Sequence, residues 1–340
     1  MRILVTGAAG FIGFHTVNHL LKSGFQVTGL DNLNDYYSPQ LKLDRLSELG
    51  VTDLDASANE PVSSVGHRDF QFIRMDLLNF PELCDLVRTR DFDCIIHLAA
   101  QAGVRYSLEN PHSYIKNNVE GFLNILETCR HLSTPRLIYA SSSSVYGGNE
   151  KLPYQESDPV DDPVSLYAVT KRSNELMAHT YRNLYGIRSM GLRFFTVYGP
   201  WGRPDMAYYT FTEKILQGEP LPVFNHGRQS RSFSYVSDVV EALNKLLHRL
   251  LHDQGDPVKI LNIGGAQEIP LMDFIAKLEK ALNRKATINF LPAQPGDVQS
   301  TQPDLTQLHH LIGELSLTDL DTGIGHFIDW YNRYYNRKQK

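Results

Sequence analysis

The chain has 340 residues, 42% hydrophobic and 21% charged, which is too apolar for a disordered polymer and long enough for a large core with a smaller lobe attached. A formal net charge of −5 leaves no electrostatic footprint for nucleic acid or an anionic membrane, so positive groups that matter act locally. Cys84, Cys94 and Cys129 lack the paired spacing of a zinc site or a redox C-x-x-C, and read as reduced thiols of a cytoplasmic protein with no metal.

In chain order, the opening run Ile3-Leu4-Val5 is too short for a signal peptide and reads instead as the first strand, over residues 2–6. Further strands are predicted over 26–31, 70–75, 94–98, 136–140 and 188–194, where short β-branched or apolar runs recur. Between them, residues 11–23, 81–89, 113–131 and 165–185 carry apolar side chains at helical spacing. This alternation predicts an α/β fold, a doubly wound, parallel, Rossmann-type sheet. Residues 50–67, rich in Ser, Asp, Pro and Gly, read as a surface excursion with no function assigned. After Gly199 the pattern changes to Pro- and Gly-punctuated pieces with helices over 237–251, 270–282 and 318–335, which suits a smaller C-terminal lobe. The division expected is 1–180 and 181–340, partly interleaved. No stretch of about 18 apolar residues is present to span a membrane.

The first strand is followed by Gly7-Ala8-Ala9-Gly10-Phe11-Ile12-Gly13, which opens the first helix. There, backbone N–H groups and the helix dipole suit a pyrophosphate. The spacing G-x-x-G-x-x-G is one residue longer than the G-x-G-x-x-G fingerprint, and a plain strand-to-helix turn is the alternative. Asp31 ends the second strand, where a carboxylate can accept both ribose hydroxyls and repel a 2′-phosphate, so the cofactor expected is NAD. Asn32 follows it. Asp76-Leu77 and Leu98-Ala99-Ala100 fall at the carboxyl edge of later strands, where adenosine lies across the crevice or where they are ordinary strand ends.

Tyr167-Ala168-Val169-Thr170-Lys171 places a phenol and an ammonium four residues apart, on one face of a helix. A nearby cation favours the phenolate, which then serves as general base toward a hydroxyl, although a solvated helix face carries the same string. Ser141-Ser142-Ser143-Ser144 after the fifth strand offers hydroxyls to hold the reacting oxygen; an exposed serine turn is the alternative.

Together, G-x-x-G-x-x-G, Asp31, His97-Leu98-Ala99-Ala100, Ser-Ser-Val-Tyr-Gly, Tyr-x-x-x-Lys and Arg193-Phe194-Phe195 resemble the extended short-chain dehydrogenase/reductase family over nearly the whole chain. Within it, residues 31–37 (DNLNDYY) and 197–207 (VYGPWGRPDMA) are similar to those of UDP-glucuronate 4-epimerases. The resemblance implies a homodimer built through two site-flanking helices, one carrying Tyr167. Residues 1–180 would bind NAD and 181–340 mainly the nucleotide sugar. Ser142, Tyr167 and Lys171 take the places of the catalytic trio, and Asn118 that of an Asn supporting the site helix. Thr196 stands where related sugar epimerases often have Asn. Arg231 and Asp297 match positions that handle the uridine diphosphate, Arg231 as a fork for phosphate oxygens. Ser232 departs from the Asp more common there, which bears on how Arg231 is oriented.

The implied reaction removes the C4 hydroxyl proton while hydride passes to NAD, giving a 4-keto sugar that is reduced on its other face. Dehydratases and decarboxylases of the family carry carboxylates in the serine turn, where this chain has Ser143 and Ser144. A neutral pair accommodates a substrate carboxylate, so 4-epimerisation of UDP-glucuronate to UDP-galacturonate is expected over elimination or decarboxylation. Epimerases of UDP-glucose or UDP-N-acetylglucosamine type, and a non-catalytic NAD-dependent sensor, are the alternatives. Arg203, in the loop Gly199-Pro200-Trp201-Gly202-Arg203-Pro204, is expected to grip the uronate carboxylate by two hydrogen bonds, against the alternative of a surface Arg.

Overall fold

The computed structural model describes residues 1–52, 59–133, 135–252, 258–294 and 296–338. The chain runs through β1 (Arg2–Thr6), α1 (Phe11–Lys22), β2 (Gln26–Asp31), α2 (Pro39–Glu48), β3 (Pro61–Ser63), β4 (Phe70–Arg74), α3 (Phe80–Arg90) and β5 (Cys94–His97). Next come α4 (Tyr106–Glu109), α5 (Pro111–Tyr114), a π-helical turn (Ile115–Glu120), α6 (Gly121–Cys129), β6 (Arg136–Ser142), a 3₁₀ turn (Ser143–Tyr146), α7 (Leu166–Tyr185) and β7 (Arg188–Phe194). The remainder is β8 (Thr196–Tyr198), α8 (Ala207–Gln217), β9 (Leu221–Val223), β10 (Ser230–Tyr235), α9 (Val236–His252), β11 (Val258–Ile263), β12 (Glu268–Pro270), α10 (Leu271–Leu282), β13 (Ile288–Phe290), α11 (Thr306–Ile312) and α12 (Leu320–Lys338). Among the described residues no helix is long and apolar enough to cross a membrane.

The chain forms two compact units. The first comprises Met1–Asn149, Pro159–Arg193 and Val240–Leu261, and the second Glu150–Asp158, Phe194–Val239 and Asn262–Lys340. The first unit is built on an eight-stranded sheet of order β11-β7-β6-β5-β1-β2-β4-β3. Ile3, Leu4 and Val5 of β1 are fully buried, as a central strand covered on both faces requires. β1 pairs in parallel with β2 on one side and β5 on the other, Val5 lying opposite both Gly29 and Ile96. The chain therefore reverses its direction of travel through the sheet at β1, and the crevice at the carboxyl end of such a switch point is where ligands of open α/β sheets bind. Leu4, Leu30, Ile95 and Leu137 from the strands pack with Phe122 and Ile125 of α6 in one core.

The second unit holds a three-stranded sheet, β12-β10-β8, and the parallel pair β13-β9. Phe233 of β10 stacks on Phe274 of α10 with ring centroids 4.3 Å apart. Tyr208 and Tyr209 of α8 pack on Phe327 of α12.

Some predicted boundaries shift. The helix expected over 113–131 is broken into α5, the π turn and α6, a defect that periodicity cannot register. α2 was not expected, although Pro39 at its first turn is a start signal; it buries Leu41, Lys42, Arg45 and Leu46. Within the predicted excursion, β3 pairs antiparallel with β4, Val62 opposite Phe72, while residues 53–58 lie outside those described.

Candidate active site

In the first unit the glycine loop leaves β1 and enters α1. Gly7 has φ +72°, and a Cβ there would sit 2.7 Å from the Ala99 nitrogen, so backbone passes backbone with no room for a side chain. A Cβ on Gly13 would strike the Gly7 carbonyl oxygen. That carbonyl accepts from Gly10 N at 2.9 Å, which closes the turn. Gly10 caps α1 without any side-chain hydrogen bond, and the first turn, with Phe11 and Ile12, carries no acidic residue. Its N–H groups and positive dipole end are thus arranged for an anion such as a dinucleotide pyrophosphate. The residues fit NAD.

Asp31 is buried at the tip of β2, where one carboxylate oxygen accepts from Leu33 N at 2.8 Å and lies 3.8 Å from Lys42 Nζ. Burial lowers the pKa of Lys42, against an opposing pull from Asp31. The amide of Asn32 donates to Asp76 at 2.9 Å, joining the tips of β2 and β4. Arg45, fully buried, donates to the Ala9 carbonyl in the glycine loop at 2.9 Å and to the Tyr37 hydroxyl. Leu77 is buried, and its carbonyl accepts from Asn124. Leu98 N and Ala99 N donate to Thr6, through its carbonyl and hydroxyl respectively, and Ala100 follows them, half-buried.

The residues expected to be catalytic lie around β6 and α7. Ser165 caps α7 by accepting from Ala168 N at 3.2 Å, which puts Tyr167 in the first turn and Lys171 one turn on. Tyr167 is half-buried, its ring edge-on to that of Tyr114 at 6.1 Å. Lys171 is buried and donates to the Ala140 carbonyl of β6 at 2.8 Å. Burial pulls its pKa down to about 8. Two residues beyond Ala140, the Ser142 hydroxyl donates to the Ser144 hydroxyl at 3.1 Å and accepts from Ser144 N. Ser143 and Ser144 are half-buried in the 3₁₀ turn.

Asn118 sits in the π turn. Its side chain accepts from Gln101 N at 2.7 Å and donates to the Gln101 carbonyl and to the Thr170 hydroxyl, while its own carbonyl accepts from Asn174. These bonds tie the segment after β5 to α7 beside Lys171. His97 is neutral: burial and then the Lys171 charge push its pKa down to about 3, and its Nδ1 lies 2.8 Å from the Thr6 hydroxyl.

Sequence reasoning missed Glu175 and Lys42 entirely. Glu175 lies two turns beyond Tyr167 on the same helix face, and that spacing was the available signal. It accepts a bidentate pair from Arg193, both bonds 2.9 Å, and a third bond from the Ser141 hydroxyl at 2.7 Å.

In the second unit, Thr196 opens β8 opposite Phe233 of β10. The Arg203 fork is engaged by Asp205, at 3.0 and 2.5 Å. Its loop is pinned by Trp201, whose ring lies 5.3 Å from those of Trp330 and Tyr334 on α12. Arg231 donates to the carbonyls of Ser230, Val298 and Gln299, and Asp297 accepts from Gln229 at 3.3 Å. Ser232 turns inward and donates to the Gly265 carbonyl, so Arg231 takes its orientation from backbone carbonyls.

The sequence pattern of the NAD dependent epimerase/dehydratase family matches residues 3–264. Protein CapI of Staphylococcus aureus is 44% identical over 350 residues, spanning 99% of this chain and 100% of that protein. A probable UDP-glucuronate 4-epimerase of Rhizobium meliloti is 40% identical over 353 residues, spanning 99% of this chain and 98% of that one. The crystal structure of UDP-glucuronic acid 4-epimerase from Bacillus cereus, in complex with UDP-glucuronic acid and NAD, superposes with a TM-score of 0.86 at 34% identity, covering 98% of this chain and 100% of that chain.

Proposed function

The chain belongs to the NAD dependent epimerase/dehydratase family, and on that premise we propose that it interconverts UDP-glucuronate and UDP-galacturonate by inverting C4 of the sugar. The observation that carries the chemistry is the buried Lys171 ammonium, one helical turn from Tyr167 and bonded to the strand that ends in Ser142. NAD, when bound, supplies a reversible hydride acceptor for C4. The chain's residues then have to move one proton and hold one oxygen. Tyr167 takes the proton from the C4 hydroxyl and returns it after the sugar has turned. Lys171 favours the phenolate, and the Ser142–Ser144 hydroxyl pair holds the reacting oxygen. Asp31 receives the adenosine ribose, and the glycine loop the pyrophosphate.

We assign the dinucleotide to the first unit, and the nucleotide-sugar contacts Thr196, Arg203, Arg231 and Asp297 to the second. Ser143 and Ser144 carry no charge, which favours epimerisation of a uronate over elimination or decarboxylation. Both need a carboxylate in that turn under the family pattern. A non-catalytic sensor has no physical reason to keep a desolvated lysine beside a tyrosine and a hydroxyl pair. The direct test is Tyr167→Phe: bound NAD and UDP-sugar affinity stay, while turnover falls by at least about a hundredfold. Full activity in that variant overturns the assignment.

The same helix supports a homodimer. Val169, Leu176 and Leu184 are exposed on α7, and Ser173 and Thr180 between them spend their hydroxyls on carbonyls four residues back. The result is an apolar stripe one helix long, and Leu123 on α6 is exposed as well. Sedimentation should give a dimer that Leu176→Glu dissociates; a monomeric native protein contradicts this. The three free, buried cysteines accord with a reducing cytoplasm, which cell fractionation checks.

A further inference from the structure

Glu175 is buried, and its carboxylate is held by side chains from β6, α7 and β7 at once. It lies eight residues beyond Tyr167 and four beyond Lys171, so the three share one face of α7, about 12 Å from end to end. Arg193, at the end of β7 and itself buried, grips both carboxylate oxygens at 2.9 Å. The Ser141 hydroxyl of β6 donates to the same carboxylate at 2.7 Å. Arg193 also lies over the Tyr146 ring, 4.8 Å from its centroid, at the far end of the serine turn. Arg172, partly exposed, reaches the second oxygen at 3.2 Å.

We infer that the Glu175–Arg193 pair is a positioning clamp that sets the register of the base helix against the serine turn, an inference that rests on Tyr167 being the base. Consecutive side chains on a strand point to opposite faces, so tying Ser141 to Glu175 fixes the direction in which Ser142 leaves β6. Lys171, bonded to the Ala140 carbonyl, makes the neighbouring tie along the same strand. The serine turn is thus held at both ends, by Ser141 through Glu175 and by Tyr146 through Arg193. A bidentate guanidinium–carboxylate pair holds direction as well as distance, which a single hydrogen bond does not. A misplacement of about 1 Å between reacting groups costs on the order of a hundredfold in rate.

The test separates placement from stability. Glu175→Gln alone strands a buried guanidinium and lowers the melting temperature, whereas Glu175→Gln combined with Arg193→Met removes both charges and restores it. The clamp predicts that this double variant keeps its NAD, melts like the native protein and has a KM within about twofold of native, yet loses about tenfold to a hundredfold in kcat. Native kcat in the folded double variant overturns the inference. Should that variant fail to fold, Ser141→Ala leaves the ion pair intact and removes only the tie to the turn. It is expected to lose about threefold to tenfold in kcat, and unchanged kcat there also overturns the clamp. Tyr167→Phe measured in parallel distinguishes the two failures. If it retains turnover, the base assignment is wrong; if it is inactive while the double variant is fully active, the clamp alone is wrong.

Discussion

Replacing Lys171 by Met should make the protein at least as stable while destroying its activity. The Lys171 pKa is pulled from 10.5 to about 8 by burial, so below pH 8 the folded state carries a charge that the unfolded chain holds more easily. At 1.36 kcal/mol per unit this costs about 3 kcal/mol of stability. Substitution by Met removes the cost but leaves the Ala140 carbonyl without its 2.8 Å donor, a loss of about 1–3 kcal/mol. The net expectation is between no change and about 2 kcal/mol of stabilisation at pH 7. The sign is checked by pH. The unfolded chain binds the extra proton between about pH 8 and 10.5, so wild-type stability gains on the variant as pH rises through that window. Turnover should fall by about 10²–10⁴ at pH 7, because the phenolate loses its cation. Paired denaturant titrations at pH 7 and pH 10.5, with turnover on the same samples, measure both. A variant more than about 2 kcal/mol less stable at pH 7 would refute the argument that Lys171 is a desolvated charge kept for chemistry.

With Arg203 assigned to the uronate carboxylate in place of its present partner Asp205, Arg203→Ala should lower kcat/KM for UDP-glucuronate by about 30-fold, the low end for a desolvated charge pair. Its effect on UDP-glucose should stay within the roughly 1 kcal/mol of an exposed pair, and equal small losses on both substrates would return Arg203 to an ordinary loop residue. Asp31→Asn keeps the Leu33 N–H partner but drops the charge beside Lys42, so the ratio of NAD to NADP affinity should fall by about tenfold or more; a calorimetric titration showing an unchanged ratio rules out that role.

The parts of this protein written in local pattern were legible. β1, β2 and β7 fall where alternation and apolar runs predict them, because a buried parallel strand is a short stretch of sequence with one requirement. The glycine loop was legible for the same reason: each glycine answers a clash within a few residues or across one neighbouring strand, as Gly7 does with Ala99. What escaped was held together across the fold. Glu175 and Arg193 are 18 residues apart and meet only because α7 turns the chain back along β7. The π turn around Asn118 is a defect in a helix that reads as continuous, and the partners of the Asn118 side chain there, Gln101 and Thr170, stand far from it in sequence. Lys42 and Arg45 went unread because α2 was. Its Ser38-Pro39 start was visible, but its buried face is partly charged and so lacks the apolar stripe that marks a helix in sequence.

The most direct measurement is proton NMR of UDP-glucuronate incubated with the purified protein and no added cofactor. Inversion at C4 collapses the large diaxial couplings of the C4 proton to small ones while the carboxylate is retained. A steady mixture of UDP-glucuronate and UDP-galacturonate is expected, with the protein's NAD neither consumed nor released. A decarboxylated pentose, an eliminated sugar, or no change in the spectrum from an NAD-loaded protein would contradict it.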